Sequence, residues 1–140
     1  MKVKTIRNDQ ERNIAFDIRK RVFVEEQQVP LELEIDEHEE KAVHFLLYNG
    51  EQACGAGRFR IADGIGKAER ICVLPDARGK GSGRLIMEAI EEYAKEHGVP
   101  AVKLGAQIHA IPFYERLGYT VISDEFLDAG IPHKMMKKTF

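Results

Sequence analysis

Polar and apolar residues alternate through "KVKTI" at the start of the chain, the period of a half-buried strand. From Asp9, read as an N-cap, the period lengthens, and Ile14, Ile18, Val22 and Phe23 recur at helical spacing. An acidic, loop-like stretch follows over residues 27–41. The runs "AVHFLLYN" and "QACGAGRFRI" predict two strands joined by an Asn-Gly turn, and "AERICVL" predicts a third strand that stops at Pro75. A longer amphipathic segment places Leu85, Ile86, Ala89, Ile90, Tyr93 and Ala94 on one stripe, with Gly98 as its C-cap. "AVKLGAQ" is an apolar strand, and Pro112 opens a short helix closed at Gly118. "YTVI" and "HKMMKKTF" supply two final strands. The order β-α-β-β-β-α-β-α-β-β predicts an α/β or α+β architecture, a sheet with helices packed on it. No repeat or linker interrupts residues 1–140, so one domain is expected.

Composition narrows the function classes. Hydrophobic residues make up 44% and charged residues 31% of the 140, as expected of a chain that folds by itself. The net charge of −2 is spread along the chain and carries no footprint for nucleic acid. No apolar run approaches the roughly 18 residues of a membrane span, and the N-terminal residues lack the apolar region of a signal peptide. A cytoplasmic protein without membrane or nucleic-acid partners is therefore expected. Cys54 and Cys72 stand alone in strand-like segments and read as reduced structural thiols, and no metal site is expected from the spacing of His, Cys and acidic residues.

The chemistry concentrates in "DARGKGSG", residues 76–83, between an apolar strand and the long helix. Glycines let the backbone approach a ligand closely, and a helix N-terminus offers free N–H groups at the positive end of its dipole, so the segment suits an anion. Leu74 and Gly81 occupy the places where a Walker loop needs Gly and Ser or Thr. Arg84 occupies the third glycine of a dinucleotide fingerprint. The spelling that fits is Arg-x-x-Gly-x-Gly, Arg78 through Gly83.

On that motif the sequence resembles the GNAT superfamily of acetyl-CoA-dependent N-acetyltransferases. Downstream, "AIPFYERLGY" resembles the family's second motif, and the two together cover residues 68–122. "RVFVEEQQVP", "EID", "HF" and "AGIPH" are similar to the bacterial YjcF/ElaA-like branch. The resemblance implies the GNAT acyl-CoA N-acyltransferase fold, with a mixed, mostly antiparallel sheet. It also implies that acetyl-CoA rests its pyrophosphate on the loop Arg78, Gly79, Lys80, Gly81, Ser82, Gly83 and Arg84. Its pantetheine arm would follow Ile71, Cys72 and Val73, with Gln107 in reach. The Val73 N–H becomes the candidate oxyanion donor and Tyr114 the general acid, while Glu69 is a candidate base. Cys72 should face away from Ile71 and Val73, which favours direct transfer over an acyl-cysteine.

The amine acceptor, a small molecule or a protein, is left open. Glu26, Gln27, Glu34, Asp36 and His44 are candidates to meet it, and so are His109 and His133. The acidic stretch would steer a cationic amine toward the cleft. A non-catalytic acyl-CoA-binding or sensing module is the alternative, because binding alone would use the same glycines. A homodimer accords with the frequency of dimers among small enzymes.

Overall fold

The computed structural model describes residues 1–140. Eight strands form one sheet in the order β1-β2-β3-β4-β5-β8-β6, with β7 paired to β8. They are β1 (Lys2–Thr5), β2 (Val43–Asn49), β3 (Gln52–Ala62), β4 (Ile65–Val73), β5 (Ala101–Gln107), β6 (Thr120–Val121), β7 (Phe126–Asp128) and β8 (Ile131–Thr139). All neighbours run antiparallel except β4 and β5. Four α-helices pack around the sheet: α1 (Asp9–Arg19), α2 (Leu31–Glu34), α3 (Ser82–Glu96) and α4 (Ile111–Arg116).

Strand alternation divides the core in two. Leu47, Phe59, Val102, Leu104 and Met136 turn to one face and pack under Ile86, Met87, Ile90 and Ala94 of α3. Leu46, Ala56 and Cys72 turn to the other face and pack under Ala15 and Ile18 of α1. Fully burying each Leu, Ile, Val, Phe or Met among them contributes on the order of 1.5–3 kcal/mol, so both helices are held by their apolar stripes rather than by propensity.

Several boundaries differ from the sequence expectations, each for a local reason. The cap of α1 is Asn8, not Asp9: Asn8 is extended and its side chain accepts from the Glu11 N–H at 2.8 Å. The helix then continues as a wider π-type turn over Lys20–Glu26, whose end has the Gln27 N–H bonded to the Val22 carbonyl. The acidic stretch is not all loop, because residues 31–34 coil into α2 as Glu34 folds inward. The C-terminal pair of strands is a set of three. Ala129 and Gly130, both at positive φ, make a two-residue turn that pairs Asp128 with Ile131 and starts β8 ahead of His133.

Two irregularities shape the centre of the sheet. Ala56 pairs with Cys72 and Arg58 with Glu69, so Gly57 faces two residues of β4, Arg70 and Ile71, and Arg70 takes φ +57°. This bulge shifts the phase of β4, which lets Ala68, Ile71 and Val73 share the α3 face while Glu69 and Cys72 share the other. Strands β4 and β5 then pair only at Gly66–Val102 and Lys67–Lys103. Beyond those two steps they diverge and leave a wedge in the sheet.

The two-step pairing depends on Gly66, because a Cβ there would lie 2.4 and 2.7 Å from ring atoms of buried Phe59. Gly66→Ala should therefore destabilise the fold by about 1–3 kcal/mol, measured by urea denaturation. A neutral result would mean that the Phe59 ring yields without cost.

Candidate active site

The loop between β4 and α3 begins with a tight turn over Pro75–Ala77 and an extended Arg78. Gly79 and Gly81 follow at φ +75° and +80°, with open space where a Cβ would stand. Their glycine character thus serves the backbone path rather than packing. Gly81 caps α3 without a side-chain hydrogen bond, and the first helical bond is Leu85 N–H to Gly81 carbonyl at 3.2 Å. The N–H groups of Ser82, Gly83 and Arg84 are left without helical partners. Ser82 holds the loop from inside: its buried Oγ donates to the Ala77 carbonyl at 2.6 Å. Gly83 fills a different need, since a Cβ there would stand 3.1 Å from the Phe113 ring.

A cleft of about 570 Å³ opens beside this helix end, with Arg84, Arg116 and Lys138 on its walls. Arg84 is tied to Glu88 and Lys138 to Glu91, while Lys80 is exposed. Arg78 turns the other way. Its Nε donates to the Val73 carbonyl at 2.9 Å, and both Nη atoms donate to the Glu26 carboxylate at 2.8 Å.

A second cleft of about 340 Å³ occupies the wedge between β4 and β5 and reaches β8. The Leu74 N–H donates to Cys54 of β3 at 2.8 Å, so by strand alternation the Val73 N–H points away from β3 and into the wedge. Ile71 and Tyr114 line the same space. Burial, with a smaller contribution from nearby Cys72, pushes the Tyr114 phenol up to about 12, so it stays protonated at neutral pH. Gln27 and Gln107 join across the mouth at 2.9 Å. His133, paired in register with Gln107, donates from Nδ1 to the Ile131 carbonyl at 2.7 Å, and its Nε2 has no hydrogen-bond partner in the protein. His109 is exposed at the rim. Cys72 lies on the opposite face, where burial raises its thiol to about 12 and removes its nucleophilic form.

The charged candidates behave differently from the expectation. Glu34 and Glu39 are clasped by buried Arg19 at 2.8 to 3.0 Å. Arg58, with no exposed surface, grips Asp36 through both Nη atoms at 2.7 and 3.0 Å and Glu69 at 3.0 Å. Arg60 holds Glu69 from the side at 2.7 Å. Burial alone would raise the Glu69 pKa, but the hydrogen bond from Arg60 and the charges of Arg58 and Arg60 outweigh it and lower it. A carboxylate stabilised in this way is a poor proton acceptor, which counts against Glu69 as the base. Arg70, on the bulge, spans to Asp36 at 3.2 Å.

The steering role assigned to the acidic stretch is corrected for Glu26, Glu34, Asp36 and Glu39, while Glu25, Glu32, Glu37 and Glu40 stay exposed without an arginine partner. Glu34 and Asp36 are neutralised internally, and Glu26 is spent on Arg78. His44 is buried away from the cleft, with Nε2 donating to the Glu39 carbonyl at 2.8 Å and its ring edge-on to Phe16. The acceptor candidates that reach the wedge are Gln27, His109, His133 and Glu34, the last with its carboxylate held by Arg19.

Sequence reasoning passed over the four arginines. One signal for two of them was available: Asp63-Gly64 is a two-residue hairpin turn at φ +54° and +75°, and counting back from it sets Arg60 opposite Lys67. Arg58 then falls on the same face, two residues along. Arg19 and Arg70 need the tertiary fold to reach the same cluster.

The wedge lies beside a glycine-led helix N-terminus that has no side-chain cap. The acetyltransferase (GNAT) domain model matches residues 5–140, and the chain belongs to that family and is an acetyltransferase. It is 50% identical over 139 residues to the uncharacterized N-acetyltransferase YjcF of Bacillus subtilis, with 99% of each chain covered. The crystal structure of Escherichia coli ElaA superposes with a TM-score of 0.88 at 23% identity, covering 99% of both chains. An aminoglycoside 6′-N-acetyltransferase solved with coenzyme A shares the fold at a TM-score of 0.77 and 14% identity, over 99% of this chain and 97% of that one.

The arginine cluster makes stability depend on acid. Although burial opposes it, the hydrogen bond and charge of Arg58 bring Asp36 from 3.8 to about 2, and those of Arg19 bring Glu39 from 4.5 to about 2. Their stabilisation is complete above the ordinary carboxylate range and lost as pH falls through the folded values. Thermal denaturation should show a fall in stability between pH 4.5 and 2 that Asp36→Asn reduces. A transition temperature flat across that window would exclude the cluster as its source.

Proposed function

We propose that residues 1–140 act as one domain that moves an acetyl group from acetyl-CoA directly to a primary amine of a small molecule or protein. The observation that carries the reading is the wedge lined by Tyr114 and bordered by the Val73 strand end, next to an α3 N-terminus that has no side-chain cap. The residues present fit coenzyme A. The N–H groups of Ser82, Gly83 and Arg84 and the open backbone at Gly79 and Gly81 suit its diphosphate. Ile71 and Gln107 line the space into which a pantetheine arm could run, and Val73 ends the strand beside it, with unpaired strand edge to receive its amides. When bound, acetyl-CoA supplies an activated thioester. The aminoglycoside acetyltransferase that shares the fold was solved with coenzyme A, which supports the same choice of donor here.

The chain's own groups then divide the work. The Val73 N–H donates to the carbonyl oxygen as it gains negative charge, and a fixed backbone donor does so without reorganising. The Tyr114 phenol, protonated because it is buried, gives a proton to the departing sulfur. Arg78 sits on the Val73 carbonyl and so pins the strand end that carries the oxyanion donor. For removal of the amine proton the free Nε2 of His133 suits the task better than Glu69, whose carboxylate is held by two guanidinium groups. Two free cysteines, both buried, accord with a reducing cytoplasmic setting.

A non-catalytic acyl-CoA-binding module would need the loop alone, and the Tyr114 phenol would then be idle. Tyr114→Phe separates the readings. It should lower turnover by roughly 10²–10⁴, followed as release of free CoA thiol with an amine panel, while leaving the acetyl-CoA thermal shift in place. Near-normal turnover would remove the phenol from the mechanism. Cys72→Ala should retain transfer, and no acylated protein should be trapped by mass spectrometry. Gly81→Asp puts a carboxylate against the diphosphate site and should abolish the acetyl-CoA shift without unfolding the protein. Unchanged binding there would refute the loop assignment.

A further inference from the structure

Resting on the acetyltransferase reading above, we propose that the acceptor is an amine that also carries an anionic group, a carboxylate or phosphate, which Lys67 and Lys103 bind at the closed end of the wedge. These two lysines face one another across the last paired step of β4 and β5, and both line the 340 Å³ cleft. Lys137 continues the row on β8, in register with Lys103. Like charges directly opposite on neighbouring strands, about 4.8 Å apart, are unfavourable unless a counter-charge lies between them. The protein supplies none. The lysines that do form ion pairs, Lys4 with Glu11 and Lys138 with Glu91, lie elsewhere.

The surrounding charges leave the pair as the free electrostatic feature of the cleft. The carboxylates of Glu34 and Glu69 line it but are bound by Arg19 and by Arg58 with Arg60, and Arg70 is matched to Asp36. Asp128 stands exposed at the rim. An acceptor entering the cleft therefore meets two unmatched ammonium groups on its floor, not the acidic surface that the sequence had suggested. The lysines cannot serve the diphosphate of coenzyme A, because Lys67 stands six residues before Val73, about 20 Å along the strand from the loop end of β4. Along β5, Lys103 lies about 13 Å of strand from Gln107 at the open end. An acceptor anchored on the lysines by its anion would extend its amine toward His133, Tyr114 and the Val73 N–H.

Matched amines long enough to span the cleft test this: 6-aminohexyl phosphate against 6-aminohexanol for a phosphate, and 8-aminooctanoate against octylamine for a carboxylate. The member bearing the favoured anion should have a kcat/KM roughly tenfold to a hundredfold higher than its neutral counterpart. Lys67→Gln and Lys103→Gln should each erode that preference through the acceptor KM while the KM for acetyl-CoA is unchanged. Both variants should match or exceed the parent in thermal stability, since each removes a repulsion. Equal rates for acidic and neutral members, or a preference that survives in both variants, would overturn the proposal. If acetyl-CoA binds and no amine of either kind is acetylated, the enzymatic reading fails by itself. The lysines are then judged by side-chain NMR: signals of Lys67 and Lys103 moved by the acidic compounds and not by the neutral ones, at matched ionic strength, support the anion site. Signals that ignore both compounds, or follow both alike, exclude it.

Discussion

Strands β4 and β5 are bonded for two residue steps and no further, and the rest of the molecule is arranged around that short contact. Full pairing would close the sheet and leave no room for a ligand, whereas no pairing would split it into two halves. Gly66 sets the contact by letting β4 pass against the Phe59 ring, and Lys67 with Lys103 ends it. Past that point the two strand edges carry unpaired amide groups that must be satisfied by water or by a ligand. A substrate arm that adds itself as a strand is one chemical answer to such an edge.

The β4 bulge makes the wedge usable. By inserting one residue it turns Val73 so that its N–H looks into the gap, while Cys72 is buried under α1 and is inert. It also brings Arg70 out at positive φ to meet the segment after α1. That segment is drawn in by ion pairs. Arg19 and Arg58 are almost wholly inaccessible, and each is matched by more than one carboxylate, Arg19 by Glu34 and Glu39 and Arg58 by Asp36, Glu39 and Glu69. The cluster thus fastens the wall of the cleft to the sheet rather than presenting charge to a substrate. Arg78 and Gln107 hold the same wall at its outer end through Glu26 and Gln27.

Much of this was legible in the residues. The helix stripes, the Asn-Gly turn and the order of elements could be read from periodicity, because a side chain's preference for inside or outside is a local property. The glycine spelling, in step with "PFYERLGY", identified the family. The polar assignments were much less accurate. Glu34, Asp36 and His44 looked like a surface for an acceptor, and each is instead engaged with a partner on another element.

The difference has a physical origin. Hydrophobic patterning and backbone freedom at glycine act over a few residues, so the main elements, the glycine-led loop and the family could be read from the sequence by itself. The meaning of a charge depends on what stands within a few ångströms of it, and those neighbours come from strands and helices far apart in the chain. Only the tertiary structure decided that Glu26, Glu34, Asp36 and Glu39 are matched by arginines, that Glu69 is held, and that Lys67 and Lys103 face each other without a counter-ion.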